Sequence, residues 1–116
     1  MTKRLAWSLV AIPLLAACGS GANGGCPNDL PTSCPPDAPG YTATIAPLLE
    51  ARCVSCHGPG GVSSEKPLGT WAEVSARRSS VLDQVYACRM PQPPAVLAPA
   101  ERAALLAWLV CGAPDD

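Results

Sequence analysis

The sequence predicts an all-α fold. Three segments place apolar residues at helical spacing, and no segment alternates apolar and polar residues with the period of two that marks a half-buried strand. Each of these segments also carries start or stop signals of a helix, such as a capping residue, an early proline or a terminal glycine. All three lie after residue 40 of the 116-residue chain. We therefore expect one helical domain over residues 41–116.

The first 17 residues predict an export signal. Lys3 and Arg4 precede an apolar run from Leu5 to Ala17 that is too short to span a bilayer as a helix. The run ends in Leu-Ala-Ala before Cys18, which resembles the lipobox of bacterial lipoproteins, where the cysteine becomes the lipidated N-terminus. The alternative is an ordinary Ala-x-Ala cleavage site followed by a chance cysteine. We expect a signal peptide over residues 1–17 and a lipid anchor on Cys18.

Residues 18–40 predict a tether between this anchor and the helical domain. Residues 19–40 contain five Gly and five Pro and almost no apolar side chain that could be buried. The anchored protein would be extracytoplasmic, on the periplasmic side of a bacterial membrane or on the outer membrane. By resemblance to lipoproteins of two-membrane bacteria, Gly19 after the lipidated cysteine permits transport to the outer membrane.

The first helical segment carries the most specific motif of the chain. Thr44 is a suitable N-cap, Pro47 then lies in the first turn where no hydrogen bond is lost, and Gly58-Pro59-Gly60-Gly61 ends the helix. The segment contains Cys53-Val54-Ser55-Cys56-His57, a C-x-x-C-H sequence of the kind that holds haem covalently. Its two thiols are expected on the buried face of one helical turn. Each can add across one vinyl group of the same porphyrin, and the adjacent imidazole can reach the iron.

Two further helices are expected. Thr70 and Glu73 form a possible capping box for a helical region that extends through Tyr86, with a break around residues 78–80. Pro99 lies at the first position of the last helix, and Gly112 follows its end as the C′ residue. The domain contains no Phe and few large side chains. A domain this small therefore needs a further group at its centre.

Met90 is the candidate for the second axial ligand of a haem iron. It is the only Met that remains after removal of residues 1–17, and Pro91-Gln92-Pro93-Pro94 would hold its loop rigidly. The alternative is a methionine that fills a gap in the core. Because His57 is the only His, a bis-histidine haem and a second haem of this type are excluded within the chain.

Four cysteines remain once Cys18 is assigned to lipid and two more to haem. They are Cys26, Cys34, Cys88 and Cys111. An exported protein favours disulfides, and four cysteines admit three pairings. Sequence proximity favours Cys26 with Cys34, which leaves Cys88 with Cys111. We expect the second bridge to clamp both ends of the segment that carries Met90, with two unpaired buried thiols as the alternative.

Residues 41–116 resemble small class I c-type cytochromes, most closely the monohaem domains of bacterial lipoproteins. The resemblance rests on the matching residues Cys53 to Gly58, Met90-Pro91, Glu101-Arg102, Leu105, Trp108-Leu109 and Gly112-Ala113-Pro114. It implies a helical domain wrapped around one covalent haem c, with His57 and Met90 as the iron ligands. It also implies that the carbonyl of Pro67 accepts the second ring N–H of His57 and that Leu68 packs on the haem, with Pro59 as an alternative acceptor.

These features predict a membrane-anchored electron-transfer protein that is not an enzyme and whose partners are redox proteins. Six basic and nine acidic residues remain after removal of the signal peptide, so a formal net charge of −3 gives no basic surface for nucleic acid. One alternative is a haem protein that reacts with gas or peroxide because Met90 is displaceable. The other is a module without haem, in which Cys53 and Cys56 form a redox dithiol or bind zinc with His57 and with Cys88 or Cys111 as the fourth ligand.

Overall fold

The computed structural model describes residues 25–116 and is entirely helical in its regular structure. The elements are a π-helical turn Tyr41–Ile45, α1 Ala46–Arg52, α2 Val54–His57, α3 Trp71–Ala76, α4 Arg78–Tyr86 and α5 Pro99–Val110. No residue of 25–116 lies in a strand, which confirms the predicted all-α class. Within the same range, no helix is long and apolar enough to cross a membrane. The predicted signal peptide and Cys18 lie outside the described residues.

The first helix begins earlier than the sequence predicts. The amide of Ile45 donates to the carbonyl of Gly40, five residues back, at 3.4 Å, and this wide turn starts at Tyr41. Thr44 therefore lies inside the turn and does not cap the helix. Pro47 is the second residue of α1, but α1 continues the π-helical turn without a break, so Pro47 lies inside the helical segment and not in its first turn as the sequence predicts.

The predicted capping box at the start of α3 is confirmed. The amide of Glu73 donates to the hydroxyl of Thr70 at 3.3 Å, and the amide of Thr70 donates to the carboxylate of Glu73 at 3.0 Å. The predicted break in this helical region is also present. It falls at Arg77, one residue before the expected range, and separates α3 from α4.

Both predicted ends of α5 are confirmed. Pro99 is its first residue, and Gly112 follows its end with φ +94°, a backbone conformation that favours glycine. The amide of Gly112 donates to Leu109 O at 3.1 Å, and that of Ala113 donates to Trp108 O at 3.0 Å. This pair of hydrogen bonds is a Schellman motif, which satisfies carbonyls at the end of the helix.

The core is built around α5. Its largest fully buried side chains come from this helix, from the first turn, from α1 and from α3: Trp108, Leu105, Leu106, Leu109, Ile45, Leu49 and Val74. The Trp108 ring also packs on Tyr41, with ring centroids 5.8 Å apart. The helical segment that leads into the C-x-x-C-H motif is therefore fixed against the centre of the domain.

The predicted disulfide pairing is wrong. The bridges are Cys26–Cys88, with Cα atoms 5.8 Å apart, and Cys34–Cys111, with Cα atoms 4.6 Å apart. Residues 26–34, which we term the N-terminal strap, reach from the end of α4 to the end of α5. Because the entropic cost of closing a loop grows only with the logarithm of its length, nearness in sequence is a weak guide to pairing. The contacts of the strap determine it instead, and this part of the predicted tether is attached to the helices at both ends.

Candidate functional site

The C-x-x-C-H motif occupies the junction of α1 and α2. The amide of Cys53 donates to Leu49 O at 2.8 Å, and the amide of His57 donates to Cys53 O at 2.9 Å. These bonds continue the helical hydrogen-bonding pattern across the junction, although Cys53 itself departs from helical geometry with φ −120°. Both thiols and the imidazole are therefore carried by one helical segment.

The two cysteines of the motif are the free ones among residues 25–116, because the other four form disulfides. Cys53 is half-buried and packs against the core, whereas Cys56 is exposed. The prediction that both thiols lie on the buried face is therefore wrong for Cys56, and only Cys53 faces the core. Burial, with a smaller electrostatic effect of the neighbouring Cys56, raises the pKa of the Cys53 thiol to about 11.

One ring nitrogen of His57 forms a hydrogen bond to the protein backbone. Its Nδ1 lies 2.7 Å from the carbonyl oxygen of Lys66, so the expected partner Pro67 is off by one residue. The amide of Leu68 donates to His57 O at 3.0 Å, and this bond sets the register of the returning loop. Because a carbonyl can only accept, the ring proton lies on Nδ1. The lone pair of Nε2 is then free for a metal.

Two glycines let the following loop lie directly on the motif. A Cβ at Gly58 would come within 2.6 Å of Val54 O, and a Cβ at Gly61 would come within 2.3 Å of Cys56 O. The loop is also joined to the motif by the amide of Ser63, which donates to Cys56 O at 2.8 Å. Only a residue without a side chain fits at either glycine position.

A bidentate ion pair fixes the helix beside the motif. Arg52, which precedes Cys53, donates to the two carboxylate oxygens of Glu101 at 3.0 and 3.1 Å. Glu101 also accepts from the amide of Ala98 at 2.8 Å. The hydrogen bonds from Arg52 lower the pKa of Glu101, and the same contact raises that of Arg52. The pair joins the end of α1 to the first turn of α5.

Met90 lies on a separate element, the turn that follows α4. Its own amide and that of Arg89 both donate to Gln84 O, at 3.1 and 2.9 Å, so the turn is folded back on the last turn of α4. The Met90 side chain is half-buried. Its backbone is therefore held by α4, not by the helical segment that carries Cys53, Cys56 and His57.

These residues could hold a covalently attached haem c. The motif offers two free thiols and an imidazole that is oriented by a hydrogen bond and has one free nitrogen. The Met90 thioether is a suitable second ligand for the iron. The zinc alternative required Cys88 or Cys111 as a further ligand, and both are in disulfides. Among residues 25–116, no group of three or more His, Cys, Asp or Glu side chains is arranged to hold a metal ion.

Sequence reasoning missed the roles of Gly61 and Arg102. The sequence marks Gly61 only as part of a helix stop, because its closeness to the motif depends on the fold of the loop. Arg102 is buried and contacts the end of α4 and the strap. Its position gives a signal, because it shares a helical face with Leu105, Leu106 and Leu109, and a charge within an apolar face needs partners.

No family model matches the chain, and no curated protein or solved structure shows significant similarity to it.

Proposed function

We propose that this protein is an extracytoplasmic electron carrier with one covalent haem c. The observation that supports this most directly is the state of the C-x-x-C-H motif. Cys53 and Cys56 are free and lie three residues apart in one helical segment while the other described cysteines are paired, and His57 keeps one ring nitrogen available. This is the set of groups that covalent haem attachment requires.

Each residue of the motif has a distinct part in this proposal. Cys53 and Cys56 would hold the macrocycle through thioether bonds, and Nε2 of His57 would bind the iron. The hydrogen bond from Nδ1 to Lys66 O orients the imidazole and makes it a stronger donor. A bound haem c supplies a one-electron ferrous–ferric couple. The half-buried position of Cys53 beside the core supports attachment on an apolar surface.

Met90 would supply the second axial ligand. Its turn is held by two amide hydrogen bonds to Gln84 O, and its side chain is half-buried. A soft thioether favours the ferrous state, which raises the reduction potential relative to a harder ligand. If His57 and Met90 both held the iron, no coordination position would remain for a substrate. The arrangement therefore suits electron transfer and not catalysis.

The lipobox extends the proposal to the location of the protein. A lipid on Cys18 would keep the domain at a bacterial membrane surface, where its partners are other redox proteins. A tether keeps such partners at high effective concentration. Attachment of haem to paired thiols and formation of the two disulfides both suit an extracytoplasmic compartment.

Mass spectrometry with an optical spectrum tests the proposal. Protein produced in a bacterial host that attaches haem c should carry the mass of one haem and give a c-type spectrum on reduction. Replacement of Cys53 and Cys56 by Ser should remove that mass. The matched pair Cys34→Ser and Cys111→Ser should retain it, because those cysteines form a disulfide. Wild-type protein without haem, or with bound zinc, would reject the proposal in favour of a dithiol or zinc module.

A further inference from the structure

We infer that Arg102 is a positioning residue for Met90, acting through the carboxyl end of α4. The inference rests on the proposed role of Met90 as an iron ligand. Arg102 lies in the first turn of α5 and is 9% exposed, which is unusual for an arginine. The hydrogen bonds of its side chain all lead to the strap or to the segment that precedes Met90.

The guanidinium of Arg102 binds the end of α4. Nη1 donates to Val85 O at 2.7 Å, and Nη2 donates to Tyr86 O at 3.1 Å. These carbonyls belong to the last two residues of the helix, where intrahelical partners run out. Nη1 also lies 3.4 Å from the sulfur of Cys88. The cation thus closes the end of α4 and contacts the first part of the following turn.

The other side of the guanidinium binds the N-terminal strap. Nε and Nη2 of Arg102 each donate to one carboxylate oxygen of Asp29, both at 2.9 Å, and Nη2 also contacts Pro27 O at 3.5 Å. The strap is joined to the same turn by the Cys26–Cys88 disulfide. The strap and Arg102 therefore hold one short segment from two sides.

Only three residues separate the end of α4 from Met90, and one of them has an unfavourable backbone conformation that other contacts must stabilise. Cys88 has φ +57°, a conformation that a residue with a side chain rarely adopts. Its amide donates to Val85 O at 3.0 Å, the same carbonyl that Arg102 binds. The amides of Arg89 and Met90 then donate to Gln84 O. Displacement of the α4 end would move all of these bonds, and the position of the thioether with them.

The chain contains a matched ion pair that does not contact this turn. Arg52 and Glu101 form a bidentate pair like that of Arg102 and Asp29, and Glu101 is the neighbour of Arg102 on α5. The pair joins α5 to α1 beside the C-x-x-C-H motif. Loss of either pair should weaken the fold, but only loss of the Asp29 pair should act selectively on Met90.

The test compares Asp29→Asn, Arg102→Lys and Glu101→Gln in the haem-loaded protein during guanidinium titration. The sulfur-to-iron charge-transfer band reports methionine ligation, and far-ultraviolet circular dichroism reports the helices. Each probe gives the guanidinium concentration at the midpoint of its transition. In Asp29→Asn and Arg102→Lys, the midpoint for loss of the band should fall by about 0.5 M more than the midpoint for loss of the helices. In Glu101→Gln the two midpoints should move together. Asp29→Asn retains Arg102 and the disulfide, so it addresses the same question if Arg102→Lys does not fold.

Hydrogen exchange of the Arg89 and Met90 amides gives a second readout. In Asp29→Asn these amides should exchange at least several-fold faster relative to those of Leu105 and Leu106 in α5. A charge-transfer band in the wild type, together with parallel midpoints and unchanged relative exchange in Asp29→Asn, would overturn the positioning role alone. Absence of the band from wild-type protein that carries haem would overturn Met90 ligation, and this inference with it.

Discussion

Backbone carbonyls hold both of the residues that are proposed to bind the iron. Lys66 O holds the imidazole of His57, and Gln84 O holds the amide of Met90. Side-chain identity at residue 66 therefore matters little for the imidazole, because only the main chain makes the contact. The exposed Lys66 side chain makes a suitable control site, since its removal leaves that carbonyl in place.

Replacement of Met90 by Ala should open one axial position. The variant should lose the sulfur-to-iron charge-transfer band completely, show a lower reduction potential and bind carbon monoxide in the ferrous form, because no thioether remains to fill that position. Optical spectroscopy with potentiometry checks this. Lys66→Ala should keep the band and the potential of the wild type. A band that persists in Met90→Ala would exclude Met90 as the ligand, since the only other Met of the chain is Met1 in the predicted signal peptide.

At the scale of elements, the glycine loop and the motif helix form one packed unit. A Cβ at Gly61 would lie 2.3 Å from Cys56 O and 2.6 Å from Cys56 C, and neither backbone atom can move without the helix. At Gly69 in the same loop, the nearest heavy atom is the carboxylate of Glu73 at 3.5 Å, an ordinary contact. The two glycines thus differ in the space available for a methyl group.

Gly61→Ala should destabilise the domain by about 1 to 3 kcal/mol, the usual cost of overpacking, and should lower the yield of covalently attached haem. The free energy of unfolding of Gly69→Ala should lie within about 0.5 kcal/mol of the wild-type value. Chemical denaturation and the ratio of haem-bearing to bare protein by mass measure both effects. Equal behaviour of the two variants would show that the approach of the loop to Cys56 is unimportant for the motif.

The elements that could be predicted from the sequence are those with local signals. Pro99 and Gly112 mark the two ends of α5, and Thr70 with Glu73 marks the start of α3, because each acts on backbone groups within one turn. The start of the first helix was predicted wrongly. Its opening turn uses a hydrogen bond across five residues, for which Thr44 gives no sign.

The features that could not be predicted depend on contacts between distant parts of the chain. The partner of His57 was wrong by one residue, since the fold of the returning loop selects Lys66. The disulfide pairing was wrong because contacts of the strap with α4 and α5 bring Cys26 to Cys88 and Cys34 to Cys111. The half-buried site of Cys53 and the exposed site of Cys56 likewise depend on how the first helical segment packs against the core.

At the scale of the whole molecule, the two disulfides make the strap part of the domain. They link residues separated by 62 and 77 positions, and the two closed loops overlap along the chain. The chain-entropy estimate gives about 4 kcal/mol for either loop taken alone. The combined effect is smaller than the sum, because one bridge already restricts the loop that the other closes. For a domain with few large apolar side chains, this restriction offsets a small core.

The Cys26–Cys88 disulfide also shortens the proposed membrane tether. Between the predicted lipid on Cys18 and the first attached residue, Cys26, the chain advances by eight residues, which span at most about 29 Å. Without the strap contacts, the tether would extend to the start of the first helical turn at Tyr41, 23 residues from Cys18, with a limit of about 83 Å. The helical domain should therefore remain close to the lipid surface and reach only partners that approach it there.

Neutron reflectometry of the lipidated protein on a supported bilayer measures this distance. The near edge of the wild-type protein layer should lie no more than about 29 Å from the headgroups. Insertion of eight Gly and Ser residues between Gly24 and Gly25 raises that limit to about 58 Å without altering either disulfide, so the layer should move outward. Cys18→Ser should leave no layer, because the proposed attachment is the lipid on Cys18 and the formal net charge of −3 does not favour binding to anionic lipid. A layer that persists in Cys18→Ser would reject the anchor, and a wild-type near edge beyond 29 Å would show that the strap does not limit the reach of the domain.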